Sequence, residues 1–368
     1  MPPPDTHDAI PRRLLERTAA LPPFRAPPRA AAHLSEVRLH LNEPSFPPSP
    51  RVLEVLRSAD RVLGRYPDGA GTELRTALAA RLGVGEERIV LGAGSDELIA
   101  LSAAAFLVPG ARGVAPTPSF PRYRTCCLLQ GGVLEEVPVS ADGALDVDAM
   151  VAAARGALLV YAASPNNPTG GMLAERGLRR LVTLVDEQAL LVLDEAYFEF
   201  SRAAGGPDAL QLLRERRGPW MVLRSFSKAY ALAGLRVGYG VVSDPALAEA
   251  LNRCRGMFNV SALAQAAALA ALEDERYAAE QVGSTVEARE RLRAQLGALG
   301  IPCLPSAANF LAAELPLPAG EAMTQLAAQG ILVSPVGPAP FDRHIRITAG
   351  SESDHARLLA VLQQLVGR

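Results

Sequence analysis

The sequence predicts an α/β protein: a mostly parallel sheet covered by helices on both faces, followed by a smaller α+β part. Two observations carry this. From about residue 88 to 242, short apolar strand segments alternate with amphipathic helical segments, the pattern of a parallel sheet with crossover helices. The strand segments are also continuously apolar, as strands buried on both faces must be.

Residues 1–50 are Pro-rich and irregular, apart from a short helix expected near 8–20. "PRVLEVLRSADRVL" (50–63) reads as a helix opened by proline, and "TELRTALAARLG" (72–83) as a second one stopped by glycine. The expected strands are "RIVLG" (88–92), "GVAPT" (113–117), "GVLEEVPV" (132–139), "ALLVYAA" (157–163), "ALLVLDEAY" (189–197), "WMVLRSF" (220–226) and "LRVGYGVV" (235–242). Helices are expected at 95–107 and 174–187. A long helical region, about 245–298, then leads to short strands near 309–314, 331–334 and 344–349. This gives a large domain over 44–245 and a small one made of 1–43 with 246–368. No internal repeat is visible.

A net charge of −2 gives no reason to expect nucleic acid or an anionic membrane as partner. Cys126, Cys127, Cys254 and Cys303 lack metal-ligand spacing, so no metal is expected; buried free thiols and a reducing cytoplasm fit them better. The N-terminal "MPPPDTHDAIPRR" lacks the apolar core of a signal peptide.

Ligands of open α/β sheets sit beyond the carboxyl ends of the strands. After "RIVLG" comes a Gly-rich turn with Ser95 as an expected helix N-cap; it is either a plain capped helix or a phosphate site. After "GVAPT" come Phe120 and Tyr123, either core aromatics or a stacking surface for a planar ligand. After "ALLVYAA" comes the rigid turn "SPNNPTG". Asp194 ends another strand and needs a partner, either an arginine or a protonated ring nitrogen.

Lys228 follows "WMVLRSF". Of 37 basic residues, 36 are arginines and Lys228 is the one lysine. Arginine can replace lysine as a surface charge but cannot form a Schiff base, which needs a primary amine able to lose its proton. Ser225 and Ser227 flank it, and Arg236 could hold a phosphate as a bidentate donor. A phosphate site, a planar ring, a ring nitrogen wanting a carboxylate and an aldehyde wanting an amine together describe pyridoxal 5'-phosphate.

"SPNNPTG", "DEAY" and "SFSKAYALAGLRVGY" resemble the three motifs of class I/II aminotransferases of the aspartate aminotransferase fold, which is fold type I of the pyridoxal-phosphate enzymes. "LNEPSFPPSP", "RYPDGAGTELRTALA" and "IRITAG" narrow the resemblance to the histidinol-phosphate aminotransferase-like branch, from about residue 35 to the end. The resemblance implies that Lys228 forms the Schiff base and shuttles a proton, and that Asp194 holds the pyridine nitrogen protonated. It implies that Asn167 and Tyr197 bind the phenolic oxygen and Phe120 stacks on the ring. Ser95, Asp96, Ser225, Ser227 and Arg236 would hold the phosphate. Tyr66 would reach it from a second subunit, implying a homodimer with shared sites. Arg346 would bind the donor's anionic group.

Two departures bear on the substrate. The branch reads Asn-Glu-Asn-Pro where this chain has Asn42-Glu43-Pro44-Ser45, and it places a second arginine where this chain has Ser334. A lost charge-assisted contact of that kind is worth about 1.5–3 kcal/mol. Arg122 stands where the branch often has methionine, and it could supply a replacement cation. The expected activity is therefore ping-pong transamination from histidinol phosphate or an α-amino acid, aromatic ones included, to a 2-oxo acid. A decarboxylase, lyase or cyclase on the same fold is the alternative. A ligand-sensing module of a transcription regulator is a further reading; the roughly 35 residues before the resemblance are too few for its DNA-binding domain.

Overall fold

The computed structural model describes residues 35–367 together with 18, 19, 21 and 23, so the helix expected near 8–20 falls almost wholly outside the described residues. A two-residue strand, β1 (Val37–Arg38), precedes the strands of the main sheet. These are β2 (Ile89–Gly92), β3 (Arg112–Thr117), β4 (Val133–Pro138), β5 (Leu159–Ala163), β6 (Leu190–Asp194), β7 (Trp220–Ser225) and β8 (Gly238–Val242), in the spatial order β2-β8-β7-β6-β5-β3-β4.

All neighbours pair in parallel except β8, which is antiparallel to both β7 and β2. The β7–β8 connection explains this. It holds one 3₁₀ turn, Ala233–Leu235, and no crossover helix, so the chain returns antiparallel. β5, β6 and β7 are buried throughout, which is why they read as unbroken apolar runs. Their side chains alternate between two cores: Val160 and Ala162 of β5 join one, Leu159 and Tyr161 the other. β4 lies at the sheet edge, where exposed Glu135 and Glu136 guard it against strand addition.

The region 245–298 resolves into three helices, Pro245–Cys254, Ala262–Leu272 and Glu275–Ala298. Asp244 and Ser261 cap the first two through side-chain oxygens. The middle helix packs Ala264, Ala267 and Ala268 into the same core as Val160 and Leu191.

The remaining strands are β9 (Phe310–Glu314), β10 (Ile331–Leu332), β11 (Ser334–Pro335) and β12 (His344–Thr348). β11, β12 and β9 form an antiparallel sheet in that order. β1 pairs in parallel with β10, Val37 opposite Ile331, which ties the N-terminal segment to the C-terminal part of the chain. Leu292, Leu296, Leu311, Ile345, Leu358 and Leu362 fill the core beneath these strands. The last helix, Glu352–Val366, opens with a reciprocal cap between Ser351 and Asp354. No described helix is long and apolar enough to cross a membrane.

Candidate active site

Parallel strands bring their carboxyl ends to one rim. Asp194 ends β6, in register with Ala163 of β5 and Leu223 of β7. The loops that follow, with β12 and the segment after β1, enclose a cavity of about 660 Å³. Ser95, Asp96, Phe120, Asn167, Asp194, Tyr197, Ser225, Ser227, Lys228, Arg236 and Arg346 all line it. Of the sequence-selected residues, Tyr66 and Arg122 are not part of that lining.

One end of the cavity suits an anion. The helix Ser95–Phe106 begins at Gly94, which is the N-cap and provides no side-chain cap. Ser95 is thus the first helical residue and not the cap expected from sequence, and the helix start keeps its positive end for a ligand. Glu97 is turned away and accepts from Ala93 N and Asn259 Nδ2, both at 2.6 Å. Arg236 has a left-handed backbone, φ 54°, and lies against Gly94. A Cβ on Gly94 would meet Arg236 Nη2 at 2.7 Å, and one on Gly238 would meet Ser95 N at 2.8 Å. This is a cradle of bare backbone beside a guanidinium, and it fits the phosphate of the expected cofactor. Gly94 has φ 79° and ψ 170°, a region that side chains avoid at a cost of about 1–3 kcal/mol. Gly94→Ala is expected to weaken cofactor affinity about tenfold in equilibrium dialysis against the stripped protein; an unchanged affinity would count against the cradle.

The other polar groups face the middle of the cavity. Asp194 is buried; its Oδ2 accepts from Tyr123 Oη at 2.7 Å and its Oδ1 from Ala196 N at 3.1 Å. Burial raises its pKa, and the two hydrogen bonds oppose that rise. The two asparagines of the turn divide their work. Asn166 is fully buried and donates to Pro118 O of the loop after β3 and to Thr169 Oγ1 of its own turn, whereas Asn167 lines the cavity and accepts from Arg346 Nη1. Tyr197 Oη accepts from Asn42 Nδ2 at 2.7 Å, and burial pushes its pKa up to about 12.

Lys228 Nζ donates to Asn42 O at 2.9 Å and to Leu41 O at 3.3 Å. Burial first, then the charges of Arg346 and Arg236, bring its pKa down to about 7, against an opposing pull from Glu43. At neutral pH a large fraction of this amine is therefore unprotonated and nucleophilic. Arg346, on β12, also bonds His40 O, while its buried Nε has no hydrogen-bond partner among the described residues. Ser334 stands directly opposite Arg346 in the β11–β12 register, and its hydroxyl donates to His40 O at 2.8 Å.

Arg122 Nε lies 3.1 Å from Asp96 Oδ1, so this cation is paired next to the helix start. Tyr66 is 83% exposed and stacks on Phe258 with ring centroids 4.7 Å apart.

Sequence reasoning missed three supports. Asn42, at φ 53°, joins Tyr197, Lys228 and Asn309 through its side chain and carbonyl. Tyr123 was placed at the rim, but nothing local shows that its hydroxyl reaches Asp194. Arg224, beneath Ser225, forms a buried ion pair with Glu195 at 2.8 Å and with Asp208 at 3.0 Å, its guanidinium 3.3 Å from the Phe198 ring centroid. The only local signal for it was an arginine in an otherwise apolar strand. The four cysteines are free as expected, although Cys254 is exposed.

Residues 35–363 match the family "Aminotransferase class I and II". Histidinol-phosphate aminotransferase 1 of Mesorhizobium japonicum is 38% identical over 331 residues, 89% of this chain and 90% of that protein. Histidinol-phosphate aminotransferase 2 of Carboxydothermus hydrogenoformans is 39% identical, with 89% and 91% covered. The crystal structure of histidinol-phosphate aminotransferase from Sinorhizobium meliloti in complex with pyridoxal-5'-phosphate superposes with a TM-score of 0.88 at 31% identity, covering 98% of this chain and 99% of that one. Aspartate aminotransferase from Thermus thermophilus shares the fold, with a TM-score of 0.79 at 24% identity over 90% of this chain and 92% of that one. These relatives speak for amino transfer over decarboxylation, elimination or cyclisation. The chain belongs to the class I and II aminotransferases, with the fold type I architecture, and is a pyridoxal 5'-phosphate-dependent aminotransferase.

Proposed function

We propose that the enzyme takes the amino group of an α-amino acid with an apolar or aromatic side chain and passes it to a 2-oxo acid. One observation carries the donor class. Arg346 has an unpartnered Nε, Ser334 spends its hydroxyl on His40 O, and Arg122, outside the cavity lining, is paired with Asp96. One carboxylate matches one guanidinium. Leu41, Phe120, Pro335 and Val336 add apolar side chains to the cavity lining.

Bound pyridoxal phosphate supplies the electron sink. In this reading the chain's residues hold and orient it. Backbone N–H groups of Ser95 and Asp96, the hydroxyls of Ser225 and Ser227, and Arg236 hold the phosphate. Phe120 covers one ring face. Asp194 would pair with the ring nitrogen, and Asn167 with Tyr197 would bind the phenolic oxygen. Lys228 would hold the aldehyde, and its amine would move the proton at the donor's α-carbon. Arg122 serves by neutralising Asp96 near the phosphate, in place of the replacement-cation role in donor binding expected from sequence.

A second reading, histidinol phosphate as donor, is favoured by the names of the relatives at 38–39% identity. Single-turnover bleaching of the cofactor band with a donor panel separates the two. The account expects the best α-amino acid to exceed histidinol phosphate in kcat/KM by at least about tenfold; the reverse order rejects it. Ser334→Arg is expected to raise kcat/KM for histidinol phosphate about tenfold, the worth of one added charge-assisted contact.

We also propose a homodimer in the cytoplasm. Support comes from the exposure of Leu63, Tyr66 and Met257 and from the free cysteines. Tyr66 would then meet a partner's phosphate site, and a fully active monomer in sedimentation at micromolar concentration would remove that role. The division into 44–245 and 1–43 with 246–368 remains our proposal for the domains.

A further inference from the structure

We propose that Tyr123 is a positioning residue that keeps Asp194 ionised and thereby keeps the cofactor's ring nitrogen protonated. The inference rests on the cofactor placement proposed above.

The geometry leaves the hydrogen bond one direction. Tyr123 Oη lies 2.7 Å from Asp194 Oδ2, and both residues are buried. A carboxylate has no proton to give, so the phenol donates. Burial and the Asp194 charge hold the Tyr123 pKa well above its ordinary value, so the donor keeps its proton through the working pH range. The ring is fixed as well. It stacks on Tyr161 with centroids 4.6 Å apart and 14° between planes, and it meets Phe120 edge-on at 6.0 Å. Tyr161 is itself anchored by Ser102 Oγ at 2.9 Å. Tyr123 lies three residues after Phe120 and its N–H bonds Phe120 O at 3.2 Å. One turn of chain therefore carries both the aromatic proposed to face the cofactor and the hydroxyl that faces its carboxylate.

Asp194 needs this donor. Burial and the charge of Asp96 favour its protonated form; Tyr123 and Ala196 N oppose them. Tyr161 and Tyr197, the other titratable groups around Tyr123, are neutral phenols with raised pKa values. Without the Tyr123 hydroxyl the carboxylate binds a proton more tightly. The proton it shares with the ring nitrogen then moves toward oxygen, and the ring loses electron-withdrawing power.

The test uses holoenzyme reconstituted with ring-¹⁵N pyridoxal phosphate. Tyr123→Phe keeps the aromatic stack and removes only the donor. The ¹⁵N resonance is expected to move toward the unprotonated position, and kcat to fall about tenfold or more with little change in KM, the loss of one hydrogen bond to a charge. In an Asp194→Asn background the same Tyr123→Phe change should leave the ¹⁵N resonance where it is, because Tyr123 acts through the carboxylate. An unshifted resonance in folded Tyr123→Phe holoenzyme, or an equal shift in the Asp194→Asn background, overturns the proposal. Wild-type protein that fails to bind the labelled cofactor would instead overturn the placement beneath it.

Discussion

Lys228→Ala is expected to lower turnover by about 10⁴-fold or more, because one side chain both anchors the cofactor and moves the proton. The cofactor-free variant should be no less stable than wild type, and more stable below about pH 7, since the buried amine bonds only the carbonyls of Leu41 and Asn42. Arginine at this position should be as inactive as alanine despite keeping the charge. The depressed pKa gives a second readout. In cofactor-free protein, acylation of Lys228 should rise with pH through a midpoint of about 7, where an ordinary lysine would still be protonated. The sign follows from linkage. The folded pKa lies below the unfolded one, so the unfolded chain binds the extra proton, and this residue costs stability below its folded pKa. That cost shrinks as pH rises from about 7 toward the unfolded value and is gone above it.

Asp194→Asn is expected to lower kcat by about 10²–10³-fold, the range for removing a preorganised electrostatic partner. Here activity and stability should move in opposite directions. Burial places the folded pKa of Asp194 above its unfolded value. The carboxylate thus costs stability in full above its folded pKa; the cost fades as pH falls from there toward the unfolded value and is gone below it. The cofactor-free Asn variant should melt at the same temperature as wild type or higher at pH 7, with any gain lost near pH 3. A variant that keeps full kcat, or one whose stripped form is clearly less stable at pH 7, would contradict this role.

Much of this was legible in the sequence, and the reason is physical. Strands buried on both faces must be apolar along their length, so β5, β6 and β7 announce themselves, and polar residues at their ends stand out as ligands. The lysine was legible because arginine cannot do amine chemistry. Local reading failed where partners come from afar in the chain. Asn42 meets Tyr197 across 155 positions, and Tyr123 meets Asp194 across 71. β1 finds β10 only once the fold closes, and two residues make no strand signal. Ser95 looked like a cap because serine caps well; Gly94 won because its φ of 79° disfavours a side chain and Arg236 fills the space beside it. Arg122 looked like a free cation because its partner, Asp96, opens a different helix.

The central claim is that Lys228 carries pyridoxal phosphate inside this cavity, and the single lysine makes it directly measurable. Borohydride reduction of the purified holoenzyme, followed by intact-mass and peptide mapping, reads it in one experiment. The account predicts one added pyridoxyl phosphate group per chain, located on the peptide containing Lys228, and loss of that addition once a true amino donor has been supplied. No added mass, or an addition mapping to the N-terminal amine instead, would contradict it.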